Sequence, residues 1–241
     1  MQKLKPSSAI WPQLSHESVV AKIKTLDISS NALKGVPVEV YGMVQLKSLF
    51  ISGCAVQYVN NLEGLAKLTK LKLDHNDLEQ DKLGALPATL ITLNLSFNHF
   101  SSLPAVLNSL VNLVSLEMQN NRIESLYGIE LLISLEDINL DDNLLCDLPE
   151  QICALTKLKK ISLARNRFTK VSSTRPGEQS IPAALLQNSA LDHIELAGNA
   201  ITKADVLKFD GIDKFLERRQ ALKDKNFSGG ALMEVSLFGL D

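Results

Sequence analysis

Leu158-Lys159-Lys160-Ile161-Ser162-Leu163-Ala164-Arg165-Asn166-Arg167-Phe168 is the stretch on which the reading of this chain turns. Its apolar residues sit at the first, fourth, sixth and eleventh places, with an asparagine at the ninth. The same spacing recurs over Ile23–Leu33, Leu46–Val56, Leu68–Leu78, Leu90–Phe100, Leu113–Ile123, Leu135–Leu145 and Leu191–Ile201. The ninth place is held by Asn31, Cys54, Asn76, Asn98, Asn121, Asn143, Asn166 and Asn199, at steps of 23, 22, 22, 23, 22, 23 and 33 residues. A period this regular is the mark of a stacked-repeat architecture.

Within each unit the centre alternates. Leu71 and Leu73 point one way, Lys70 and Lys72 the other, which is the pattern of a half-buried strand. A single such strand cannot bury its leucines, so successive units must stack, each strand parallel to the last. The asparagine falls where the chain leaves the strand, and its short amide is suited to backbone groups that the ladder leaves unpaired. Cys54 stands in for it once and is expected in the core. L-x-x-L-x-L-x-x-N-x-L resembles the leucine-rich-repeat consensus. It implies an α/β leucine-rich-repeat solenoid, a horseshoe with a parallel concave β-sheet and short helices and 3-10 turns on the convex side.

The expected organisation follows from the repeats. Residues 1–22 form an amino-terminal cap or half repeat, with Trp11, Leu14, Val19 and Val20 covering exposed core. Residues 23–201 carry the eight repeats, and 202–227 a carboxy-terminal capping helix. Residues 228–241 form a docked apolar tail with Leu232, Met233, Val235, Leu237, Phe238 and Leu240. In the capping helix Ile212, Phe215, Leu216 and Leu222 line the apolar side, and Lys214, Arg218, Arg219, Lys223 and Lys225 the polar side. Convex segments that open on Val36-Pro37, Leu86-Pro87, Leu103-Pro104, Leu148-Pro149 and Ile181-Pro182 suit tight entry into a short helix or 3-10 turn. The long seventh step comes from Ser172–Ser180, a Ser/Thr/Pro/Gly stretch expected to be a tolerated surface loop.

The composition narrows the function. Aromatic residues make up 5% of the chain, as a leucine-stacked core requires. A net charge of −2 argues against nucleic acid as a partner. Cys54, Cys146 and Cys153 are odd in number and scattered, unlike the clustered cysteines of secreted repeat caps, which suits a reducing compartment. No apolar run is long enough for membrane insertion, and Met1–Pro6 lacks the apolar segment of a signal peptide. The expected location is therefore cytoplasmic. His16, His75, His99 and His193 lie in different units without metal-ligand spacing, and no phosphate-binding loop or nucleophile motif is present. The chain is expected to be neither an enzyme nor a cofactor or metal carrier.

What remains is binding to another protein on the concave face by a monomer. Outward positions line up in rows. One row is Asp27, Phe50, Lys72, Asn94, Glu117, Asn139, Ser162 and Glu195, flanked by Thr25, Ser48, Lys70, Thr92, Ser115, Asp137, Lys160 and His193. Two further rows hold Ser29, Ser52, Asp74, Ser96, Gln119, Asp141, Ala164 and Ala197, then Ser30, Gly53, His75, Phe97, Asn120, Asp142, Arg165 and Gly198. Phe50 and Phe97 are candidate anchors, because exposed aromatic side chains are enriched at binding hot spots. Lys70, Lys72, Glu117, Asp137, Asn139, Asp141 and Asp142 complete the candidate site, with an acidic patch on repeats five and six expected to steer a basic partner.

Leu148-Pro149-Glu150-Gln151-Ile152-Cys153-Ala154-Leu155-Thr156-Lys157-Leu158 resembles the linker of Ras-group and Ras-suppressor-like repeat proteins, and Leu62-Glu63-Gly64-Leu65 is similar to phosphatase-regulator repeats. Phe209-Asp210-Gly211-Ile212-Asp213-Lys214-Phe215-Leu216-Glu217-Arg218-Arg219 resembles the ending of the leucine-rich repeat-containing protein 57 family. That family carries a lipid-acceptor glycine after the initiator methionine. Gln2 stands there in this chain, so lipid anchoring does not transfer. The resemblance implies an interaction scaffold or adaptor without enzymatic activity. The alternatives are a regulatory or targeting subunit in a phosphatase or small-GTPase pathway, and a pathogen or immune recognition module.

Overall fold

The computed structural model describes residues 22–227 and 238–240. The expected amino-terminal cap, and the part of the tail at 228–237, lie outside the described residues. Eight three-residue strands form one parallel sheet in strict sequence order: β1 (Thr25–Asp27), β2 (Ser48–Phe50), β3 (Lys70–Lys72), β4 (Thr92–Asn94), β5 (Ser115–Glu117), β6 (Asp137–Asn139), β7 (Lys160–Ser162) and β8 (His193–Glu195). The register never slips. Leu26, Leu49, Leu71, Leu93, Leu116, Ile138, Ile161 and Ile194 are successive partners, and all eight are buried. This is the leucine-rich-repeat solenoid expected from the spacing.

The convex return is built largely from 3-10 turns, at Val38–Gly42, Gln80–Lys82, Ala105–Ser109, Ile129–Leu131 and Glu150–Ala154. Three of these, and the helix α1 (Ala183–Asn188), start immediately after a proline in extended conformation: Pro37, Pro104, Pro149 and Pro182. Proline fits there because its fixed φ continues the extended entry and its missing N–H leaves no donor to satisfy.

The asparagine ladder is a continuous run of buried bonds. Asn76 Nδ2 donates to the carbonyls of Ile51 (2.7 Å) and Leu73 (2.9 Å), while its Oδ1 accepts from the amides of Cys54 and Val56, both at 3.0 Å. Asn98, Asn121, Asn143, Asn166 and Asn199 each bind back to the preceding repeat. Cys54 is buried, as expected, and its Sγ lies 3.3 Å from the carbonyl of Ile28. Burial raises the pKa of its thiol.

The carboxy-terminal cap departs from expectation. It is two helices, α2 (Lys203–Val206) and α3 (Ile212–Phe227), broken where Gly211 takes φ +86° against the carbonyl of Ala183. Ile212 and Phe215 face the core, but Leu222 is exposed. Arg219, assigned to the polar side, is buried instead, 6.0 Å from the Phe215 ring. Arg218 also turns inward, donating to the carbonyls of Leu186 (2.5 Å), Gln187 (3.2 Å) and Leu191 (2.9 Å). The carbonyls at the end of α1 have no intrahelical partner, so a guanidinium fork is well placed to serve them.

The inserted loop is clamped to the body. Asp147 Oδ2 accepts from the hydroxyls of Ser172 (2.5 Å) and Thr174 (2.8 Å) and from the Thr174 amide (3.0 Å). Arg175 donates to the carbonyls of Leu148 and Gln179 and pairs with Glu178. Burial pushes the Asp147 pKa up, but the hydroxyl and amide donors and nearby Arg175 prevail and hold it below the usual carboxylate range.

Candidate functional site: the concave face

Exposed strand positions look outward because the alternate positions are consumed by the core. Phe50 on β2 is half-buried, and the Lys70 ammonium lies 5.8 Å from its ring centroid. Lys70 and Lys72 occupy the two outward places of β3, and neither makes an ion pair among the described residues. Beside them lies a depression of about 150 Å³ lined by Lys70, Lys72, Thr92, Asn94, Ser115 and Glu117. The Thr92 hydroxyl is buried without a hydrogen-bond partner among the described residues. A buried hydroxyl in that state carries an unmet hydrogen-bonding demand.

Phe97 is 41% exposed, and its ring stacks on that of His75, centroids 4.0 Å apart and planes 14° apart. His75 was not among the candidate site residues. The signal for it was available: it precedes its ladder asparagine by one residue, as Phe97 does one repeat later.

The row that holds His75 and Phe97 lies just beyond the strands. Ser30, Gly53, His75, Phe97, Asn120, Asp142, Arg165 and Gly198 all have left-handed backbone, with φ between 53° and 73°. Each turns the chain from strand into ladder. Glycine and asparagine tolerate this conformation, whereas a bulky aromatic side chain is strained there.

The acidic half of the candidate site is mostly engaged within the solenoid. Asp141 Oδ1 accepts from the Ser162 hydroxyl (2.6 Å) and the Ala164 amide (2.8 Å). Asp142 takes a two-pronged pair from Arg165, at 2.7 and 2.6 Å, and this pairing raises the pKa of the arginine. Glu136 is paired with Lys159 at 2.6 Å. Asn139 Oδ1 accepts from the Asp141 amide (3.0 Å), and Glu117 accepts from Asn94 Nδ2 (3.2 Å). Asp137 is exposed, in register with Lys160. Ser96 and Ala164, placed in an outward row, are buried. Of the acidic residues expected on repeats five and six, Glu136 and Asp142 are ion-paired within the solenoid, whereas Asp137 stays exposed with no ion pair among the described residues. On repeats two to four Phe50, Phe97, Lys70 and Lys72 face outward, and neither lysine has an ion pair among the described residues.

The family model for the Leucine Rich Repeat matches residues 89–110. Mouse lumican is 33% identical over 84 residues, which is 34% of this chain and 24% of lumican, so the match spans about a quarter of that relative. Among solved structures, internalin C2 of Listeria monocytogenes superposes with a TM-score of 0.61 at 18% identity, covering 81% of this chain and 80% of the internalin. A chain of the octameric complex of Latrophilin 3, Unc5D and the leucine-rich-repeat protein FLRT2 gives 0.63 at 24% identity, over 82% and 68% of the two chains. The plant peptide hormone receptor RGFR1, in complex with RGF2, gives 0.56 at 26% identity, over 78% and 30%. These likenesses are of fold: the protein is a leucine-rich-repeat solenoid.

Proposed function

We propose that this chain is a non-catalytic protein-interaction module, a cytoplasmic adaptor that holds a partner on the concave face of repeats two to four. The observation that carries the reading is the cluster of Phe50, Lys70, Lys72 and the His75–Phe97 stack, presented outward next to a small polar depression. Flat aromatic surface supplies contact area at low entropic cost, and the unpaired ammonium groups select a partner segment with carboxylates. Two of the solenoids of like fold were solved in complexes, one of a peptide hormone receptor with RGF2 and one with Latrophilin 3 and Unc5D. This supports a binding role for the present chain.

The test is affinity capture from cytosol, followed by titration of the captured protein. Phe50→Ala and the double change Lys70→Glu, Lys72→Glu are each expected to weaken binding by about 30-fold, the scale of a hot-spot residue. Asp142→Ala is expected to leave binding within about threefold of wild type. Retained affinity in both variants of repeats two to four would sink the assignment to this face.

A further inference from the structure

We infer that the outer edge of β8 is a docking site for a short turn, occupied in cis by the chain's own carboxy-terminal segment through Phe238, and able to take the same segment in trans. An open parallel sheet ends in a strand whose outward amides and carbonyls have no partner. Along the solenoid the residue after each strand donates to the next repeat. Ile28, Ile51, Leu73, Leu95, Met118, Leu140 and Leu163 bond the carbonyls of Phe50, Lys72, Asn94, Glu117, Asn139, Ser162 and Glu195 at 2.8–3.0 Å. No ninth strand follows among the described residues, yet the Leu196 amide makes the same bond, at 2.8 Å, to the carbonyl of Phe238. A segment 42 residues further along the chain (238 − 196) thus occupies the ninth place in the ladder.

The side chains make the fit selective. Phe238 is fully buried, and its ring stacks on Phe215, centroids 5.6 Å apart and planes 23° apart. On Phe215 also rests the buried guanidinium of Arg219. Gly239 follows with φ +66°, so close to the Glu195 carboxylate that a Cβ there would overlap it. One ladder bond, an aromatic slot and a tight left-handed place that favours glycine together define a ligand: a turn bearing Phe-Gly, with φ 67° at Phe238 and 66° at Gly239. A single main-chain bond thus fixes the segment at the sheet edge, and the side-chain pocket supplies the specificity. The slot lies at the end of the solenoid, apart from the concave cluster on repeats two to four, and does not rest on that reading.

The probe is a fluorescent peptide with the sequence of residues 231–241, titrated by anisotropy into full-length protein. A tethered ligand acts at an effective concentration in the millimolar range, so the wild-type slot is largely filled. The full-length Phe238→Ala variant is expected to bind the peptide at least about tenfold more tightly than wild type does. A peptide carrying the same change should bind that variant at least about tenfold more weakly. A variant with native circular dichroism that fails to bind the peptide would overturn the inference. So would equal binding by wild type, or equal binding of the peptide lacking the ring. Should the variant not fold, hydrogen exchange on wild-type protein decides. Protection of the Leu196 amide matching that of Leu163 supports the site, and exchange at the rate of an open amide refutes it.

Discussion

The imidazole of His75 lies flat on the ring of Phe97, centroids 4.0 Å apart, with both residues in left-handed backbone at φ 56° and 54°. Two bulky side chains therefore occupy positions where glycine or asparagine would cost less. Holding an L residue in this conformation costs roughly 1–2 kcal/mol. An offset aromatic stack returns about 0.5–1.5 kcal/mol. The rest is supplied by the turn itself, since the His75 and Phe97 amides donate to Ser96 and Gln119 of the next repeats.

Phe97→Asn is therefore expected to change the urea unfolding free energy by less than about 1 kcal/mol, since relief of strain offsets loss of the stack. Phe100, three residues on, is fully buried, and Phe100→Ala should cost about 3–5 kcal/mol. Equal losses for the two would mean that the Phe97 ring is packed rather than presented.

Asn121→Ala removes an acceptor for the Phe100 amide and a donor to the carbonyls of Leu95 and Met118. Each buried group left unpaired costs about 1–3 kcal/mol, so a loss of roughly 3 kcal/mol or more is expected by denaturant titration. A loss below about 1 kcal/mol would mean that water replaces the ladder.

Loop docking should respond to acid. The Asp147 pKa is lowered in the folded state, so its contribution is fully present above the unfolded aspartate value of about 3.9 and is lost as pH falls through the lower folded value. Hydrogen exchange of the Thr174 amide, corrected for the intrinsic rate, should accelerate below about pH 4. In Asp147→Ala it should already be fast at pH 7. Protection unchanged by that substitution would mean that other contacts hold the loop.

Arg218→Ala leaves the carbonyls of Leu186, Gln187 and Leu191 without their donor. Hydrogen bonds to a charged group contribute about 1.5–3 kcal/mol, so a loss of roughly 2 kcal/mol is expected. Arg218→Lys should recover only part of it, because an ammonium lacks the planar fork. Full recovery in the lysine variant would indicate that charge alone matters there.

The sequence by itself determined the solenoid, its eight repeats, the buried ladder and the convex turns that follow proline. These depend on contacts between identical positions of neighbouring units, and a fixed step repeats the same contact from one unit to the next. It also named Phe50, Lys70, Lys72 and Phe97. Only the tertiary structure decided which polar residues are already engaged. Asp141, Asp142 and Asn139 have the composition of a binding patch, yet Ser162, Ala164, Arg165 and the Asp141 amide take them up, because strands about 4.8 Å apart bring such groups within bonding range. The same holds for Arg219, drawn under the cap beside Phe215, and for Phe238, which completes the ladder of β8 from 42 residues away (238 − 196). Neither obeys the repeat. A period predicts what recurs, whereas a single closure at the end of a stack is decided by which side chain best fills the last exposed slot.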